Sequence, residues 1–276
     1  MSYISTNIQG GLGNQLFQIA NLLIYYNKIN EKKEIIFKYE EKLDNFFNLE
    51  RKTFWNSLFL NQFKLIDKEK YDKLNFQIIN EKEPHKSFIN LLNDMPGNIK
   101  FDGYFQTFKY YDSIIRYQIK SLLYSNESLV NSAVNHYNNI KNNFNVTDDD
   151  MISMHIRRTD YVYSSDFHHP LELDYYKKAL DIAKNKKVVV FSDDIEWCKS
   201  VFNNDMYFVE INNVEIEFLL MTLFKHNIIA NSTFSLWASY ISPYQDKLVI
   251  APKQWYANNV SIDYNELYHN YITHII

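Results

Sequence analysis

The chain has 276 residues, 46% of them apolar and 17% aromatic, with 29 Lys and Arg against 33 Asp and Glu. That composition supports one large or two medium packed domains, and a formal net charge of −4 argues against a nucleic-acid partner. Cys198 is the single cysteine, which excludes an intrachain disulfide and a cysteine cluster of zinc spacing, and points to a reducing compartment.

Residues 1–6 lack the positive segment of a secretory signal, and no run of 18 apolar residues occurs anywhere. Neither a signal peptide nor a transmembrane helix is expected, and the expected location is cytoplasmic.

Residues 3–8 read as a short strand, followed by Gln9-Gly10-Gly11-Leu12-Gly13-Asn14-Gln15, which holds three of the chain's five glycines. Leu16, Ile19, Ala20, Leu23 and Ile24 then fall at helical spacing, predicting a helix to about residue 28. Strand, glycine loop and helix make a ligand-binding arrangement, because glycine lets backbone approach a ligand and a helix start favours anions. A dinucleotide fingerprint does not fit. The third glycine position is Leu16, and the strand at 34–37 ends in Lys38 rather than an acid. Asn14 and Gln15 suit hydroxyls or a phosphate; a tight strand–helix turn is the plainer alternative.

Between residues 38 and 100, Phe46, Phe47, Phe54, Trp55, Leu58 and Phe59 suggest core packing ahead of an aromatic groove. Residues 99–105 alternate as a strand, with Tyr104 and Gln106 at its end. A helical pattern runs from Ile114 to about Lys141, and the polar stretch 142–150 is the expected linker. Domains at 1–145 and 146–276 follow.

The second half alternates strand and helix. Strands are predicted at 151–157, 187–191, 207–209, 227–230 and 247–251, and helices at 173–185, 195–202, 215–224 and 234–241. This regularity implies an α/β fold with a doubly wound parallel sheet. Three strands end in polar clusters: Arg157-Arg158, Ser192-Asp193-Asp194 and Asn231-Ser232-Thr233. In a parallel sheet these ends share one edge, where open α/β sheets bind ligands. Arginine forks match a diphosphate. A carboxylate can accept from a guanine edge, and hydroxyls at a helix start suit phosphate. The alternatives are a solvated Arg–Asp pair and two ordinary helix caps. No third ligand accompanies Asp193 and Asp194, so no metal is expected.

These motifs, taken in order, resemble the α-1,2-fucosyltransferases of glycosyltransferase family 11. The resemblance rests on Gly10-Gly11-Leu12-Gly13-Asn14-Gln15-Leu16-Phe17-Gln18, on Gly103-Tyr104-Phe105-Gln106 with Lys109-Tyr110, and on His155-Ile156-Arg157-Arg158-Thr159-Asp160. Phe191-Ser192-Asp193-Asp194 and Asn231-Ser232-Thr233-Phe234-Ser235 complete it. Thr159 stands where family members usually have glycine, and Leu236 precedes Trp237 where they usually have two tryptophans.

The resemblance implies a GT-B type fold of two Rossmann-like domains facing across a cleft. It implies inverting transfer of L-fucose from GDP-fucose to the 2-hydroxyl of a galactose-containing glycan, without a metal or other cofactor. Arg157, with Arg158, would carry the charge of the leaving diphosphate, and Asp160 and His155 would orient them or touch the donor. Asp193 or Asp194, beside Ser192, would read guanine. Asn231, Ser232, Thr233, Phe234 and Ser235 would bind the rest of the donor. Gly11, Gly13, Asn14, Gln15, Tyr104 and Gln106 would line the cleft from the first domain. Candidates for the base are Asp160, Asp166, His168 and His169. Transfer of another GDP-linked sugar, or non-catalytic glycan or nucleotide binding, are the alternatives. A lipid-linked acceptor would place the protein peripherally on the cytoplasmic face of a membrane.

Overall fold

The computed structural model describes residues 2–46, 49–81, 95–163, 170–203, 205–257 and 264–276. The chain forms two compact units, Met1–Asn126 with Asp263–His269, and Glu127–Ile262 with Asn270–Ile276. Each is built on a parallel sheet, as expected of an α/β chain of the GT-B type.

The first unit contains β1 (Tyr3–Thr6), α1 (Leu12–Lys28), β2 (Glu34–Lys38), β3 (Lys42–Phe46), β4 (Leu49–Lys52), β5 (Lys64–Ile66), α2 (Lys68–Tyr71), β6 (Gln77–Asn80), β7 (Ile99–Asp102) and α3 (Ser113–Leu123). Its sheet runs β5-β2-β1-β7-β6, all parallel, beside an antiparallel pair of β3 and β4. Chain order reverses between β1 and β7, so the loops after these strands border the sheet's switch point. α1 buries every residue from Gln15 to Tyr25, so the predicted stripe of Leu16, Ile19, Ala20, Leu23 and Ile24 belongs to a helix covered on all sides. Phe54, Trp55, Leu58 and Phe59 are core residues, with Trp55 packed 4.9 Å from Phe37. Phe47 lies outside the described residues.

The second unit contains α4 (Glu127–Phe144), β8 (Met151–Ile156), α5 (Thr159–Tyr163), α6 (Leu173–Ile182), β9 (Lys187–Ser192), α7 (Ile195–Val201), β10 (Tyr207–Phe208), α8 (Val214–Thr222), β11 (His226–Ile228), α9 (Thr233–Ile241), β12 (Val249–Ala251) and β13 (His274–Ile275), while α10 (Tyr264–Leu267) returns to the first unit. Its sheet runs β10-β9-β8-β11-β12-β13, again all parallel. β8 is buried along its whole length. Ile152, Met154 and Ile156 pack with Val190, Ile228, Tyr176 and Ala179 in one core. The polar Ser153 of the same strand is satisfied by Asn227 Oδ1 at 2.9 Å.

Two expectations change. The single helix from Ile114 to Lys141 is two, α3 and α4, because Ser125 and Asn126 interrupt it. Their side chains donate to the carbonyls of Leu122, Leu58 and Ser57 instead of continuing the spiral. The stretch 142–150 is tied into the second unit rather than loose. Asp148 accepts from Tyr137, Lys141 and Tyr244 at 2.6–3.0 Å. α4 belongs to that unit as well, with Tyr137 edge-on to Phe224 at 5.1 Å, so the units divide at 126/127 where the polar tract suggested 145/146.

Candidate active site

β9, β8 and β11 are neighbours in the second sheet. The polar clusters that end them therefore stand side by side at one edge. Chain order reverses between β8 and β11, which makes this the crevice where such a sheet binds ligands.

Arg157 emerges from the buried end of β8 and is held from two sides. Its Nη2 lies 2.7 Å from Asp160 Oδ1 and its Nη1 3.0 Å from Asp193 Oδ2. Burial opposes its charge, but Asp193 and Asp160 outweigh burial and raise its pKa above the ordinary value. Arg158 is held differently. Its Nε donates to Asp194 Oδ2 at 3.1 Å, and its guanidinium carbon sits 3.7 Å over the Trp197 ring. Both contacts fix the plane of the guanidinium.

The carboxylates do more than cap. Asp193 accepts from the backbone N–H of Arg158 at 2.9 Å and of Thr159 at 3.2 Å, and from the Thr159 hydroxyl at 2.5 Å. It thus gathers the start of α5 as well as Arg157. Asp194 accepts from Trp197 N at 3.3 Å, capping α7, while its own N–H donates to Ser192 Oγ at 3.0 Å. Thr159 supplies to this hold a hydroxyl that a glycine would lack.

His155 is 6% exposed, and its Nδ1 is buried without a hydrogen-bond partner among the described residues. Burial drives its pKa down to about 3, helped by Arg157 and opposed by Asp193, so it is a neutral imidazole. Its ring lies 5.5 Å from Phe234, which itself packs on Phe218 at 5.1 Å. At the start of α9, Ser232 makes no side-chain cap and no acid occupies the first turn, an anion-compatible end. Ser235 is fully buried, accepting from Ala230 N and donating to Ser232 O; it shapes the turn. Asn231 donates to Trp255 O at 2.9 Å and its carbonyl accepts from Tyr161 at 2.9 Å, binding α5 to the loop after β11. Thr233 is half-buried in the first turn of α9. Asp166, His168 and His169 lie outside the described residues.

Sequence reading passes over Glu217. It sits in α8 among Ile216, Phe218 and Leu219, and burial followed by the charge of Asp193 raises its pKa to about 7. The available signal was an acid, the second in α8 after Glu215, standing directly before the apolar run Phe218-Leu219-Leu220-Met221. Among the described residues, no three His, Cys, Asp or Glu side chains gather as a metal site.

In the first unit, the loops after β1 and β7 meet. Gln106 Nε2 donates to Asn14 Oδ1 at 2.8 Å, and Gln15, buried, donates to the carbonyls of Gly10 and Lys52 at 3.0 and 2.8 Å. The left-handed backbone belongs to Gly10, with φ +75, rather than to Gly11 or Gly13. A Cβ on Gly10 would lie 2.5 Å from Asn14 Nδ2. Gly11 is the N-cap of α1 and Gly13 is buried inside its first turn. Glu81 accepts from Tyr104 N at 2.8 Å and Phe105 N at 3.0 Å, holding the second loop. Burial raises the Tyr104 pKa, while the charge of Arg51 lowers it. Arg51 is a cation that the sequence reading passes over, and its Nη1 would lie 3.6 Å from a Cβ on Gly11.

A family model described as glycosyl transferase family 11 matches residues 2–272. The chain is 31% identical to the O-antigen biosynthesis glycosyltransferase WbnK of Escherichia coli, covering 91% of this chain and 94% of the relative. It is 28% identical to an Escherichia coli alpha-1,2-colitosyltransferase, covering 93% of each. Among solved structures it resembles POFUT1 in complex with GDP, with TM-score 0.50 and 10% identity over 90% of this chain and 98% of that one. That likeness is one of fold. The motifs at both sheet edges and the match along nearly the whole length make the chain a member of glycosyl transferase family 11.

Proposed function

We propose that the protein is an inverting fucosyltransferase that moves L-fucose from GDP-fucose to the 2-hydroxyl of a galactoside-type acceptor. The observation that carries this is the pair of fixed guanidiniums, Arg157 and Arg158, at the switch point of the second sheet. As the sugar–phosphate bond breaks, charge grows on the leaving diphosphate. Two preoriented cations meet it without a reorganisation cost, and the uncapped start of α9 adds a weaker field of the same sign. The chain thus supplies from its own side chains the charge stabilisation that the reaction needs, so turnover is expected to persist in chelator.

Asp193 and Asp160 act here as positioning residues. Asp193 accepts from Arg158 and Thr159 and Asp194 from Arg158 and Trp197, which leaves Glu217 as our candidate for reading guanine in preference to Asp193 or Asp194. A carboxylate at Glu217 can accept from the paired N–H groups of the base. Asp160 remains the described candidate for the acceptor base, provided its hold on Arg157 is exchanged for the acceptor hydroxyl. The glycine loop, Tyr104, Gln106 and Arg51 of the first unit are the candidate acceptor contacts.

A second reading, transfer of another GDP-linked deoxysugar, is favoured by the relative named for colitosyl transfer. The test is GDP release from a panel of GDP-linked sugars with a β-galactoside, with and without chelator. Release with GDP-fucose above all others supports the first reading. A different preferred donor supports the second, and no turnover with any GDP sugar overturns both.

A further inference from the structure

α3 buries Ile115, Ile119 and Leu123 against the first unit. Helical spacing puts Ile114, Tyr117, Ser121 and Tyr124 along the opposite side. Ile114 is 59% and Tyr117 72% exposed. One exposed apolar side chain means nothing; here two lie one turn apart within a rim of cations. The helix sequence has no Asp or Glu, and its charges are Arg116 and Lys120. Lys120 Nζ lies 5.6 Å over the Tyr124 ring. Asn27 donates to Gln118 at 2.9 Å, which brings the last turn of α1 alongside. Lys28 follows there, with its Nζ 5.3 Å over Tyr110. The nearest acid in sequence, Asp112, spends its carboxylate on Ile115 N as the N-cap. A local basic and aromatic face on a chain of net charge −4 is the signature of one particular partner.

We infer that this face of α3 rests on an anionic lipid surface. Tyrosine rings fit the headgroup level and isoleucine the acyl boundary. The lysines are drawn by the negative potential of anionic headgroups. A single short helix of this kind gives weak, reversible attachment, suited to an enzyme that must reach an acceptor at a membrane and leave it. The inference does not depend on which sugar is transferred.

The test is co-sedimentation of the whole protein with phosphatidylcholine vesicles, with or without phosphatidylglycerol. Binding is expected only to the anionic vesicles and is expected to fade as salt is raised. Lys120→Ala should weaken it about fivefold, and the double variant Ile114→Ser, Tyr117→Ser should abolish it. Both variants should retain wild-type thermal unfolding and turnover of a soluble acceptor. Absence of binding to anionic vesicles at low salt overturns the inference, as does equal binding by the double variant. A concentration-dependent dimer that the double variant dissolves, with no vesicle binding, assigns the face to a second copy instead and likewise overturns it.

Discussion

At the scale of single residues, Arg157 decides most. Truncation to alanine is a poor probe, because it leaves Asp160 and Asp193, 10% and 19% exposed, without their cation. Losing one partner of a largely buried ion pair costs about 3 kcal/mol or more, so Arg157→Ala is expected to lower the melting temperature as well as activity. Arg157→Lys keeps the charge and loses the fork. It should unfold within a few degrees of wild type while kcat falls at least a hundredfold, measured by GDP release. Wild-type kcat in that variant would remove Arg157 from the chemistry. Thr159→Gly deletes the hydroxyl bond to Asp193 and should cost about 1 kcal/mol of stability.

Glu217 gives a pH-dependent prediction with two readouts. Its folded pKa of about 7 lies above the ordinary 4.5. Between those values the folded state holds a proton that the unfolded state has lost, so its contribution to stability falls as pH rises. Glu217→Gln should therefore gain melting temperature over wild type between pH 5 and pH 8. If the carboxylate reads guanine, the donor KM of the wild type should rise as pH falls below about 7, and the Gln variant should lose that dependence. A shift in stability alone would leave Glu217 outside the donor site.

At the scale of elements, each unit relies on a strand feeding a helix through a tight turn. In the first unit, Gly10→Ala is strained twice, by φ +75 and by the 2.5 Å approach to Asn14 Nδ2. Moving Asn14 breaks its bond to Gln106, which joins the loops after β1 and β7. The variant should raise the acceptor KM more than the donor KM; an unchanged acceptor KM would detach this loop from the acceptor. In the second unit, α7 carries Asp194 and Trp197 on one turn. Its capping residue and its stacking residue both serve Arg158. The helix is short, but its register fixes the second cation.

At the scale of the whole molecule, the division at 126/127 yields a fragment test. A chain of residues 127–276 keeps α4 over Phe224 and the Asp148 network. One of residues 146–276 loses Tyr137 and Lys141. The first should unfold cooperatively and the second should not, by circular dichroism. Equal behaviour would return the boundary to the polar tract.

How much was legible follows from locality. Strand after helix after strand in the second half was readable because apolar runs and their period encode it directly, and β8, β9 and β11 appear within a few residues of their expected limits. The polar strand ends were readable for the same reason, since a parallel sheet must place them at one edge. The break between α3 and α4 was hidden, because Ser125 and Asn126 look like helix surface until Leu58 and Ser57, distant in sequence, accept their side chains.

By itself the sequence determined the α/β class, the family motifs and the presence of two adjacent arginines after a buried strand. Only the tertiary structure decided what each charge does. Asp193 reaches Arg157 across 36 residues of chain, Trp197 stacks on Arg158, and Glu217, in α8, feels the charge of Asp193. Composition and spacing carry information along the chain, whereas ion pairing, desolvation and pKa depend on distances through space. A six-residue motif can name its cations; the neighbouring strand and helix determine how they are held.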